Sequence, residues 1–103
     1  MQIIVNTDSS VTGSEELQQR VEQGVQKHLR HLADRLSRVE AHFTDENKSK
    51  HGPNDKQCTL ELRVQGLQPV AVKNNGDTID QAMNGALEKA KTTLERLVKK
   101  QQN

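Results

Sequence analysis

The hydrophobic pattern of this chain predicts an α+β fold of order β-α-β-β-β-α, a four-stranded mixed sheet with two helices packed on one face. Two observations carry the prediction. Four short stretches alternate apolar and polar residues, as strands with one buried face do. Two longer stretches repeat apolar residues at spacings of three and four, the period of a helix docked by one side. Composition sets the terms: Phe43 is the one aromatic residue, so Leu, Val, Ile and Ala must build the core. The 103 residues suit a single domain spanning 1–103, with no room for a separate catalytic lobe.

Met1 to Thr7 reads as the first strand, with Ile3 and Val5 on one side and Gln2 and Asn6 on the other. Asp8 to Gly13 is turn-like. Ser14 is a candidate N-cap, followed by Glu15 and Glu16 where a helix dipole favours negative charge. Leu17, Val21, Val25, Leu29, Leu32 and Leu36 then define one apolar side of a first helix ending near Arg35. Gly24 weakens that helix and marks a close approach by a neighbour.

Arg38 to Thr44 alternates again, with Val39, Ala41 and Phe43 inward. Asp45 to Lys56, containing Gly52-Pro53-Asn54-Asp55, reads as a long exposed loop. Gln57 to Val64 is the cleanest strand, with Cys58, Leu60, Leu62 and Val64 on one face. A hairpin turn at Gln65–Gln68 leads to a fourth strand, Pro69 to Asn74, and Asn75-Gly76 signals another turn. Asp77 or Thr78 caps the last helix, which runs to Lys100 with Ile79, Ala82, Met83, Ala86, Leu87, Ala90, Leu94, Leu97 and Val98 apolar. The first two strands, joined through a helix, are expected to be parallel by a right-handed crossover, and the later ones antiparallel.

No group of residues converges on catalysis. His28 and His31 stand three apart, a possible metal-ligand spacing, but no third ligand is clearly placed with them. Cys58 lies on the inward side of a strand and reads as a buried structural thiol. Glu40 and Glu61, beside Arg38, His42 and Arg63 on the outer sheet face, are explained by cross-strand ion pairing. Neither a glycine-rich phosphate loop nor a serine elbow is present. The expectation is a protein that is not an enzyme, with no metal site, cofactor or small-molecule substrate. The sole cysteine excludes an intramolecular disulfide, and no apolar run approaches a membrane span. A cytoplasmic location without membrane attachment follows as an expectation.

Charge is nearly balanced, at a formal +1, so totals do not mark a nucleic-acid binder. Its distribution is more informative. Lys89, Arg96 and Lys100 stand at i, i+7 and i+11 on one edge of the last helix, apart from Glu88 and Glu95. Arg20, Lys27 and His31 repeat that spacing on the first helix, with Arg30 close by. Each row is about 16 Å long at 1.5 Å per residue. On adjacent helices the two rows would form one basic strip suited to a phosphate backbone. With Phe43 in the core, recognition would go through backbone and shape rather than stacked bases. Spacing alone leaves open that these rows are ordinary solvated helix faces.

Three stretches resemble the short ribosome hibernation-promoting factor family, also described as ribosome-associated inhibitors or sigma-54 modulation proteins. They are Met1-Gln2-Ile3, Asp34-Arg35-Leu36-Ser37-Arg38-Val39, and most strongly Thr78-Ile79-Asp80-Gln81-Ala82-Met83-Asn84-Gly85-Ala86-Leu87-Glu88-Lys89. The resemblance covers nearly the whole chain, and the element order is also the family's. It implies a fold akin to double-stranded-RNA-binding domains. It implies binding to the ribosomal RNA of the small ribosomal subunit, in the channel for messenger and transfer RNA, blocking translation during stress or stationary phase. It also implies that the helices carry the RNA-facing surface, where Lys27, Lys89 and Arg96 match basic family positions. Gln18, Gly24 and Thr92 depart from the pattern, standing where relatives often carry a basic residue. The C-terminal dimerisation domain of long-form relatives is not expected here. The alternative is a protein-interaction module of the same fold without strong RNA binding, using the long loop or the open sheet face with His42, Glu61 and Arg63.

Overall fold

The alternating stretches pair as expected: β1 (Gln2–Thr7) runs parallel to β2 (Leu36–Asp45), and β3 (Lys56–Val64) and β4 (Val70–Gly76) follow antiparallel, in spatial order β1-β2-β3-β4. The computed structural model describes residues 1–8, 11, 13–45 and 55–101. Two helices, α1 (Glu15–Leu29) and α2 (Ile79–Gln101), cover one face of the sheet. The first lies against β1 and the second against β3 and β4.

Sequence explains where each helix starts. Ser14 holds an extended backbone, and its Oγ accepts a hydrogen bond from the Leu17 N–H at 3.1 Å, satisfying an otherwise orphaned donor. At α2, Thr78 Oγ1 accepts from the Gln81 N–H, and the Gln81 side-chain oxygen accepts from the Asp77 N–H, each at 3.1 Å. This is a capping box displaced by one residue.

The core lies between the helices and the sheet. Phe43, Leu29, Leu60, Leu62, Leu87 and Leu94 are fully buried in it, each worth roughly 1.5–3 kcal/mol relative to exposure. The alternation of β2 and β3 resolves as expected, with Val39, Ala41, Phe43, Cys58, Leu60, Leu62 and Val64 inward. Asn6, Arg38, Glu40, His42, Thr59, Glu61 and Arg63 are left on the open face.

Three boundaries differ from the sequence-based expectation. The first helix stops at Leu29, whose backbone leaves the helical region (φ −122°, ψ 13°), and Arg30–Leu32 form a 3₁₀ turn. Leu32 and Leu36 are still buried, because the tighter turn and the opening of β2 aim them at the same core. A bulge at Ser37 then lets Leu36 and Val39, three residues apart, both face inward. Second, Asn75-Gly76 is not a turn: both residues continue β4, pairing with Gln57 and Lys56, while Pro69 falls before the strand. Third, Asp45 and Lys56, the ends of the expected loop, are paired strand residues. The remainder of that loop, except Asp55, lies outside the described residues.

Both outer strands have a carbonyl oxygen taken by a helix side chain. Gln18 Nε2 donates to the Ile3 carbonyl on β1 at 3.1 Å, and Lys89 Nζ donates to the Lys73 carbonyl on β4 at 2.8 Å. Such contacts blunt edges that otherwise invite another strand.

Candidate nucleic-acid interface

Residues of α1 and α2 meet in matched order, so the helices run side by side in the same direction. Arg20 meets Asp80 at 2.8 Å, His28 meets Glu88 at 3.1 Å, and His31 meets Glu95 at 2.9 Å. Arg35 reaches Gln101 at 3.2 Å beyond them. Gly24 lies where the helices come closest: a Cβ there would sit 2.6 Å from Leu87 Cδ1. The close approach expected at Gly24 is therefore present. Asp80 foremost, with Glu16 also contributing, holds the Arg20 guanidinium in its charged form and raises its pKa.

This seam changes the geometry of the expected strip. Arg20 and His31 point into it and are matched by acids of α2. Lys89, Arg96 and Lys100 instead follow the opposite edge of α2, over β4, as the Lys89–Lys73 hydrogen bond fixes. The two basic rows share the helical layer but do not merge, because Asp80, Glu88 and Glu95 stand between them. Sequence spacing grouped the cations on each helix, but it could not say which edge of each helix faced the other.

Among the described residues, no ion pair engages Lys27, Arg30, Lys89, Arg96 or Lys100. All five are exposed. Lys27 and Arg30 border a shallow groove along the outer flank of α1, lined also by Ile3, Gln19, Glu22 and Gln26. Lys89 borders a second groove between α2 and β4, with Val72, Lys73, Thr92 and Thr93. Lys73 is a cation that the helix-by-helix reading missed. Finding it required knowing that β4 is the edge strand under α2.

The open face of the sheet holds a different group. Glu40 and Glu61 are direct cross-strand partners, and His42 stands two residues along β2 on the same face. His42 Nε2 lies 3.2 Å from Glu40 Oε2 and 3.7 Å from Glu61 Oε1. Arg38 pairs with the other Glu40 oxygen at 2.6 Å. Ion pairing is present on this face, but it runs mostly along β2 rather than across strands as expected: among the described residues, His42 with Glu61 is its one pair between strands, and Arg63 takes no part. Cys58 is buried as anticipated, and burial pushes its thiol pKa up to about 12, so it is no nucleophile in the folded chain. None of the described helices is long and apolar enough to cross a membrane.

Comparison with known proteins places this arrangement. The family model described as Sigma 54 modulation protein / S30EA ribosomal protein matches residues 4–102. No curated protein sequence matches. Among solved structures, a ribosomal subunit interface protein from Coxiella burnetii superposes with a TM-score of 0.76 at 16% identity, covering 94% of this chain and 97% of that one. The N-terminal domain of Thermus thermophilus Protein Y superposes with a TM-score of 0.74 at 15% identity, covering 94% and 99%. At these identities the superpositions establish a shared fold.

Proposed function

Because the chain belongs to the Sigma 54 modulation protein / S30EA ribosomal protein family, we propose that this ribosome-associated factor inhibits translation by occupying the messenger and transfer RNA channel of the small subunit. It acts by binding, in the cytoplasm, without catalysis or cofactor. The observation that carries the reading is the row of exposed, unpaired cations on the outer edge of α2 (Lys89, Arg96 and Lys100) next to Lys73 on β4. Lys89 is already oriented by the Lys73 carbonyl and keeps further ammonium donors for a phosphate.

On the α1 side, Lys27 and Arg30 supply a second contact along their groove, while Arg20 and His31 serve mainly to join the helices. RNA is thus held on two flanks of the helical layer rather than along one strip. Phosphate contacts of this kind act by releasing counterions, so affinity falls steeply with salt. Bound in the channel, the domain excludes messenger and transfer RNA by volume.

Co-sedimentation tests the reading. The protein should pellet with purified small subunits and not with large ones at low salt, and prebound messenger and transfer RNA should prevent it. Equal association with large subunits, or indifference to prebound RNA, would overturn the proposed location. One observation favours a second reading: the acids of the seam neutralise part of the α1 row, which suits a protein-binding module that retains the fold. Capture of a defined protein partner by a chain that shows no salt-sensitive RNA binding would establish it instead.

A further inference from the structure

We propose that Glu40, His42 and Glu61 form a three-ligand site for a divalent transition-metal ion of the zinc type, on the open face of the sheet. Each offers one ligand atom, and the three atoms lie within 4.8 Å of one another. A tetrahedral zinc ion with bonds of about 2.0–2.1 Å holds its ligand atoms roughly 3.3–3.5 Å apart. The separations from His42 Nε2, 3.2 Å to Glu40 and 3.7 Å to Glu61, bracket that spacing.

A second observation concerns the imidazole itself. His42 Nε2 is shielded from solvent yet has no aligned hydrogen-bond partner among the described residues, although two carboxylates lie beside it. A lone pair on that nitrogen and a cation between the three groups satisfy it. The cation also relieves the placing of two glutamates directly opposite each other across the β2–β3 pairing.

The surroundings orient the ligands. Asn6, in register with His42 on β1, donates from Nδ2 to Glu40 Oε2 at 3.3 Å and so steadies that carboxylate, with the same nitrogen 3.5 Å from His42 Nδ1. Arg38 holds Glu40 Oε1, leaving Oε2 turned to the imidazole, and its positive charge makes the site weaker than an isolated one would be. One nitrogen with two carboxylates favours a borderline ion over magnesium, which prefers six oxygen ligands. All three ligands sit on paired strands, so little order is lost on binding.

Zinc titration of the metal-free protein by calorimetry, with cobalt absorption as a second probe, tests the site. One ion per chain should bind. His42→Ala and Glu61→Gln should each weaken binding by about tenfold or more, and circular dichroism should report an unchanged fold, since the open face is not core. The double variant His28→Ala with His31→Ala, whose residues lie on the opposite side of the sheet, should bind as the parent does. The proposal is overturned if zinc does not bind saturably. It is equally overturned if the His42 and Glu61 variants bind as tightly as the parent, or if affinity is lost with His28 and His31 instead.

Discussion

Gly76→Ala should destabilise this protein by about 2 kcal/mol, although Gly76 sits in a strand at ordinary backbone angles where alanine is allowed. The reason is contact. A Cβ at Gly76 would lie 2.6 Å from the Ala82 nitrogen and 2.9 Å from the Gln81 carbonyl carbon. Those atoms belong to the backbone of the first turn of α2, so no side-chain rotation relieves the clash. The helix start must move by about 0.8 Å to reach ordinary contact. Overpacking costs about 1–3 kcal/mol, and a backbone obstacle that cannot rotate away puts this site near the upper end, offset by about 0.4–1 kcal/mol from a less flexible unfolded chain.

Gly24→Ala is the matched comparison. Its Cβ also meets an atom at 2.6 Å, but that atom is the end of the Leu87 side chain. The substitution also adds about 0.5–1 kcal/mol of helix propensity, so the net change should stay within about 1 kcal/mol. Urea unfolding separates the two. Gly76→Ala should lower the midpoint by about 1 M, at slopes typical of small domains, and Gly24→Ala by clearly less. If Gly24→Ala is as damaging, or Gly76→Ala is harmless, the distinction between backbone and side-chain obstacles fails.

Lys56 bridges Asp45 and Asp55 at 3.1 Å each, and Asp55 foremost raises its pKa above 10.5. Its folded pKa is thus higher than the unfolded one, so its stabilisation is complete below pH 10.5 and is lost as pH rises through the raised value. Lys56→Met should therefore melt earlier than the parent at neutral pH, with the difference shrinking at strongly alkaline pH; a pH-independent difference would refute the pairing. The buried Cys58 thiol should resist a thiol reagent at mildly alkaline pH until the chain unfolds, and rapid labelling of the native protein would contradict its placement. Glu88→Gln with Glu95→Gln removes two negative charges between the basic rows. At roughly 10 Å and high dielectric each is worth about 0.4 kcal/mol before screening, so ribosome binding should tighten roughly fourfold at very low salt and about twofold or less at about 0.1 M, and weaker binding would refute the repulsive role of the seam.

The sheet was legible because alternation in Val39–Phe43 and Cys58–Val64 reports directly which residues face the core. Helix ends were less so. Leu29, Leu32 and Leu36 keep a core-facing spacing through a helix end, a 3₁₀ turn and a strand start, so periodicity recorded burial and not helix. Asn75-Gly76 carried a turn signature, yet the glycine is needed where the β4 end and the start of α2 approach each other. The basic rows could be read from i, i+7 and i+11 spacing. Which row faced the acids could not, since that depends on how two helices pack on a common sheet. Alternation already put Glu40, His42 and Glu61 on one sheet face, but their direct opposition, like the place of Lys73 under α2, needed strand order and register, which no local pattern contains.

In the proposed mode of binding, α2 meets ribosomal RNA through its outer edge. Affinity for purified small subunits should be measured against salt for the parent and for Lys89→Glu with Arg96→Glu. With Lys27, Arg30, Lys89, Arg96 and Lys100 each neutralising a phosphate, log affinity should fall with log salt at a slope of about −4 for the parent. The double variant should bind far more weakly, with a slope of about −2, while melting like the parent because both side chains are exposed. An unchanged slope and affinity in the double variant would contradict the account.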